Sequence, residues 1–123
     1  NLPHTFSYIK DFAKGLITFA DNDILFGEAW HIPSAETISQ KEMVELVEIE
    51  IGRKIKYRTA GRKMISFLGL FNPMIKEVKE MMYTMEEPYI VDHSKFEKAF
   101  GINVTSHKKA IKETINWYLN ENK

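Results

Sequence analysis

Ser39-Gln40-Lys41-Glu42-Met43-Val44-Glu45-Leu46-Val47-Glu48-Ile49-Glu50-Ile51-Gly52-Arg53-Lys54 is the stretch from which the fold reads outward. It opens on a capping box. The Ser39 hydroxyl can accept from the backbone N–H of Glu42, and the Glu42 side chain reaches back to the N–H of Ser39. A helix is expected from there to about Ile51, closed by Gly52 as the residue just past its end. After it, residues 55 to 59 alternate apolar and polar positions, the pattern of a half-buried strand.

Upstream, Ile9, Phe12, Ala13, Leu16, Ile17 and Ala20 recur at three- and four-residue spacing, so a helix with one apolar face is expected over residues 7 to 20. Asp21-Asn22-Asp23 stops it with turn chemistry. Glu28 to Ile32 reads as a short strand ended by Pro33. Downstream, Gly69 and Pro73 split the apolar region 62 to 85 into two helices, the second with Asn72 as N-cap and Pro73 in its first turn. That second helix presents Met74, Val78, Met81, Met82 and Met85, and Pro88 ends it. Tyr89 to Val91 reads as extended. Asp92 or Ser94 caps a brief helix closed by Gly101, and Thr105 or Ser106 opens a last one with Ala110, Ile111, Thr114, Ile115 and Tyr118 inward.

The expected class is α/β: a small mixed sheet of two or three short strands covered by about five to six helices. A sheet this small has edges that need helices or a partner to cover them. The 123 residues make one domain, 44% hydrophobic and 28% charged, which suits a packed protein and not a disordered one. Seventeen basic and seventeen acidic residues cancel, so no global field draws nucleic acid or an anionic membrane. Cysteine is absent, which removes disulfides and thiolate chemistry and fits a reducing, cytoplasmic setting. No apolar run approaches the roughly 18 residues of a membrane span. The first residue is Asn1 rather than methionine, which suggests cleavage or truncation.

Four phrases fall in a fixed order: Phe6, Tyr8, Ile9 and Asp11; Gly27-Glu28-Ala29-Trp30-His31; the capped helix ending in Gly52-Arg53-Lys54; and Asp92, Ser94, Lys95 and Gly101. In that order they resemble the C-terminal, substrate-binding part of an extended short-chain dehydrogenase/reductase, the NAD-dependent epimerase/dehydratase family. Trp30 and His31 stand where the family usually has Tyr and Asn, Phe96 where it has Ala, and Phe100 where it has Leu. The resemblance implies that residues 1 to 123 are a single substrate-binding domain fragment, catalytically inactive alone. It implies an N-terminal Rossmann domain of the same parent protein as partner. NAD or NADP would be bound by that parent and not by this chain. The substrate would be a small molecule, sugar-like or another alcohol or carbonyl compound.

The family's cofactor and catalytic signatures are missing. The glycines, at 15, 27, 52, 61, 69 and 101, are never close enough to cradle a pyrophosphate. Four positions after Tyr8, Tyr57, Tyr83, Tyr89 and Tyr118 stand Phe12, Gly61, Glu87, His93 and Asn122, so no Tyr-x-x-x-Lys pair is readable. Glu86-Glu87-Pro88 occupies the place where nucleotide-sugar members often carry a diphosphate-binding Arg, and acidic residues repel phosphate. Adjacent Glu86 and Glu87 point in different directions on most backbones, which argues against their working as an acid/base pair.

By resemblance, His4, Thr5 and Phe6 lie near the substrate cleft; a frayed terminus is the plain alternative. His31 is either a substrate contact or a half-buried, hydrogen-bonded histidine. Met81 and Tyr83 belong to a Met-rich face that lines an apolar substrate pocket, packs on the cofactor domain, or is ordinary core. The four histidines show no metal-ligand spacing. Arg53, Lys54, Lys56, Arg58, Arg62 and Lys63 form a basic cluster that is either a solvated face or an anion site. Glu77 and Glu80 argue against residues 64 to 85 lying on a membrane. A free-standing binding module using the basic 53–63 segment or the Met-rich 74–85 face is the competing reading, and self-association is expected if the Met-rich face lacks its cover.

Overall fold

Helix α1 (Ile9–Ala20) forms where the apolar periodicity places it, but it is turned inside out. In this structure, a computed structural model describing residues 2–121, Ile9, Phe12, Leu16 and Ile17 are exposed. The α1 residues that are buried are Asp11 and Gly15. Burying a carboxylate is unfavourable unless its oxygens are fully engaged. Asp11 meets that condition by accepting from the Thr105 N–H at 2.5 Å, the Thr105 hydroxyl at 2.9 Å and Lys14 Nζ at 3.0 Å. One turn on, Gly15 lets Ile32 lie against the helix, and a Cβ there would stand 2.7 Å from Ile32 Cγ2. Gly15→Ala is therefore expected to destabilise the fold by about 1–3 kcal/mol through overpacking. An Ile32→Ala background should recover most of that loss in urea unfolding; additive losses in the double variant would refute the contact.

Helix α2 (Gln40–Ile51) has the full reciprocal capping box, with Glu42 N–H to Ser39 Oγ at 3.2 Å and Ser39 N–H to the Glu42 carboxylate at 2.7 Å. Gly52 closes it at φ 69°, a left-handed conformation that glycine adopts without steric cost. Helices α3 (Arg62–Leu68) and α4 (Pro73–Met81) pack on each other. Asn72 Oδ1 accepts from the Met74 N–H at the start of α4. A short α5 (Tyr83–Glu86) follows, then α6 (Ser94–Phe100), with Asp92 Oδ1 accepting from the Ser94 N–H, and α7 (His107–Glu121), which packs against α2.

The architecture is mixed α/β, with seven α-helices and a two-stranded antiparallel sheet among the described residues. The expected strands are corrected. The sheet joins β1 (Pro3–His4) to β2 (Ile38–Ser39), and on its other side His4 makes an isolated parallel bridge to Tyr89. Residues 28 to 32 run without a ladder: Trp30 and Ile32 turn inward while Glu28, Ala29 and His31 stay exposed, so the alternation survives without a partner strand. Residues 55 to 59 are exposed and irregular. The Ile55 N–H donates to Glu48 Oε1 at 2.9 Å, so this backbone is tied to a carboxylate on α2 instead of a neighbouring strand. The helix count also exceeds the expected five to six, because Met82 interrupts the second helix of the apolar region and sets α5 apart.

Leu25, Phe96 and Ala110 are buried apolar residues, and Pro33 is buried with them. Phe96 packs its ring against Phe19 and Phe100. Buried polar residues are as prominent: His4, Asp11, Ser34, Ser39, Glu48 and His107. The segments are joined mainly through these satisfied polar side chains. His107 Nε2 donates to the Glu36 carbonyl at 2.6 Å, and the Ser7 and Ser34 hydroxyls bond at 2.8 Å. No described helix is long and apolar enough to cross a membrane.

Candidate functional site

The N-terminal segment is the junction of the chain. β1 lies between β2 and Tyr89, so three distant segments meet at His4. His4 is buried, with Nδ1 2.9 Å from the Leu2 carbonyl and Nε2 2.9 Å from the Thr84 carbonyl in α5. Thr5 donates its N–H to the Tyr89 carbonyl at 2.7 Å, and its hydroxyl oxygen accepts from the Val91 N–H at 2.9 Å. Phe6 meets His107 edge to face and lines a shallow hollow between α2 and α7.

Of the residues singled out from the sequence, His4 and Thr5 lie on this junction, and Met81 and Tyr83 lie on the corner to which His4 is bonded. The Thr84 carbonyl receives His4, and the Thr84 hydroxyl donates to the Met81 carbonyl at 2.7 Å, so β1 is tied to the α4–α5 corner. Met81 and Tyr83 hold their side chains in solvent on that corner. His31 lies on another seam. Its Nδ1–H donates to the Asp92 carbonyl at 2.8 Å, while Lys95 bonds Glu28 and the Ala29 carbonyl and sits 4.0 Å over the Trp30 ring. Trp30 Nε1 and His93 Nδ1 are buried without a hydrogen-bond partner among the described residues, so burial of polar groups is least compensated there. Glu86 bonds Arg62 at 2.6 Å, which leaves no carboxylate pair with Glu87. No three of His, Asp and Glu among the described residues could hold a metal ion together.

A second polar cluster flanks this segment. The Tyr8 hydroxyl donates to Glu113 Oε2 at 2.7 Å, and Lys10 Nζ donates to the same oxygen at 2.8 Å. Loss of solvation and the bond to the Glu113 carboxylate push the Tyr8 phenol above its ordinary value. Lys10, and then Tyr8, hold the Glu113 carboxyl below the usual carboxylate range, and Glu113 in turn raises Lys10. The phenol therefore stays protonated and serves as a hydrogen-bond donor, not as a base. With Ile9, Thr114, Trp117 and Tyr118 it borders a hollow of about 320 Å³. Aromatic faces beside an ionised carboxylate and an ammonium suit a hydroxyl-bearing ligand. Nothing in the local sequence reveals Glu113, which meets Tyr8 across 105 positions; only the Tyr8–Lys10 spacing gives a sign of one shared edge.

No family model, curated protein or solved structure matches this chain.

Proposed function

We propose that this chain is the substrate-side domain of an NAD(P)-dependent epimerase, dehydratase or reductase of the extended short-chain type, acting on a sugar-like or other alcohol or carbonyl substrate. The observation that carries the reading is the inverted α1. A helix with Asp11 locked inward and Ile9, Phe12, Leu16 and Ile17 outward is built to be covered by a second layer. The four ordered phrases name that layer as a Rossmann cofactor domain, and one of them, Phe6 to Asp11, opens α1 itself.

The residues of this chain do not fit the cofactor. Gly27, Gly52 and Gly101 take positive φ in three separate turns, and none opens a helix. Gly61 alone precedes a helix, one of only seven residues. A dinucleotide needs clustered glycines at the start of a longer helix. What the chain supplies is a substrate wall: the β1 junction, the exposed Met81 and Tyr83, and the Tyr8–Glu113 cluster. The test is the coding sequence upstream of Asn1 together with nucleotide binding by the protein it encodes. A Gly-x-x-Gly-x-x-Gly turn, a Tyr-x-x-x-Lys pair and quenching by NADH or NADPH are expected. A start codon directly before Asn1 would end this reading.

A further inference from the structure

A cleft of about 510 Å³ opens between the first turn of α2, residues 57 to 60 and the α3–α5 corner, within the range of small-molecule sites. It is distinct from the β1 junction, and its chemistry is independent of the reductase reading. Its wall is apolar, made by Val44, Ile65, Val78, Met82 and Met85 from four different segments. The Gln40 amide donates to the Met85 sulfur, which ties this flexible side chain to the rim. Methionines adapt their shape to irregular apolar ligands.

The mouth of the cleft is cationic. Lys41 and Arg58 line it beside Tyr57 and Thr59. Of the neighbouring basic cluster, Lys54 is neutralised by Glu48 and Arg62 by Glu86. Lys41 shares its charge with Glu45 at 3.7 Å. Arg53, Lys56, Arg58 and Lys63 make no ion pair among the described residues, and all four are exposed. The cluster therefore keeps uncompensated positive charge, although the whole chain is neutral. Apolar depth below a cationic rim matches one chemistry, a monoanionic amphiphile with its chain on the methionines and its head on Arg58.

We infer that this cleft binds a medium-chain carboxylate, held through Val44, Met82 and Met85 and anchored by Arg58. Decanoate below its micelle concentration is the probe, with methyl-labelled methionine NMR as the readout on the whole chain. Saturable shifts of Met82 and Met85 are expected, with Met43, on the α2–α7 side, unmoved. Arg58→Gln, an exposed substitution, should weaken decanoate about tenfold, and the uncharged decanol should bind wild type about tenfold more weakly than decanoate does. Methionines shifting together without saturation would overturn the site. Equal binding of decanol and decanoate would overturn the anionic head, and co-sedimentation with phosphatidylglycerol vesicles, without saturable decanoate binding, would assign the cleft to a membrane surface.

Discussion

Asp11→Ala is expected to lower the thermal midpoint at neutral pH by about 10 °C, the consequence of losing about 2–4 kcal/mol. The substitution leaves the Thr105 N–H without its acceptor and opens a space beneath α1. The Gly15–Ile32 contact, the Phe19–Phe96 ring pair and the Lys10–Glu113 bond remain, but the outward apolar stripe contributes little to holding α1 on the chain. The wild-type protein should also lose stability in acid. Desolvation raises the Asp11 carboxyl, but the Thr105 N–H, Lys14 and the Thr105 hydroxyl together outweigh it and hold the group below its ordinary value. Glu48, through Lys54 and the Ile55 N–H, and Glu42, through the Ser39 N–H, are lowered too. In the pH range between folded and unfolded values, the unfolded chain binds more protons. The stabilisation is therefore complete above the ordinary carboxyl range of about 4 and is lost as pH falls below it. Thermal melts followed by circular dichroism from pH 3 to 7 should show this slope in wild type and a shallower one in Asp11→Ala. A midpoint within about 1 °C of wild type at pH 7 would refute the anchoring role, since even 1 kcal/mol shifts a domain of this size by more.

The helices are legible in the sequence because their signals are local. Ser39 with Glu42, Asn72 with Pro73, and Gly52 and Gly101 past their helix ends each specify a boundary within four residues, and each boundary stands within a residue or two of its expected place. The sheet is not legible. Pro3–His4 and Ile38–Ser39 are too short to show alternation, and their pairing depends on contacts between positions more than thirty residues apart. Residues 55 to 59 show alternation but have no partner strand. The direction of α1 escapes the sequence for a related reason. Periodicity locates an apolar face but says only by default that it points inward. Here the orientation is set by Asp11 finding Thr105, 94 positions away. The candidate site divides along the same line. His4 and Thr5 follow from the resemblance and Met81 and Tyr83 from the Met-rich face, and His4 is bonded to the corner that carries the last two, whereas Glu113 carries no one-dimensional signal.

The inverted helix predicts opposite outcomes for one substitution in two settings. Leu16→Glu with Ile17→Lys should leave the stability of this chain within about 0.5 kcal/mol of wild type, because both side chains already stand in water. Wild type is expected to self-associate and bind a hydrophobic dye, and the same pair should give a monomer in sedimentation velocity at micromolar concentration, since it removes the centre of an apolar face. Joined to a cofactor domain that covers α1, the pair should cost about 1.5–3 kcal/mol for each side chain denied its burial, and that protein should melt lower and lose nucleotide-dependent activity. Each arm tests a different link. If the double variant unfolds the chain by itself, Leu16 and Ile17 belong to its own core and the orientation of α1 is wrong. If wild type is already a monomer that binds no hydrophobic dye, the exposed stripe needs no cover and the case for a second layer fails. Only neutrality in the chain alone combined with damage in the joined protein fits a helix whose partner is a separate domain. That combination follows from placing the charge inward and the hydrocarbon outward.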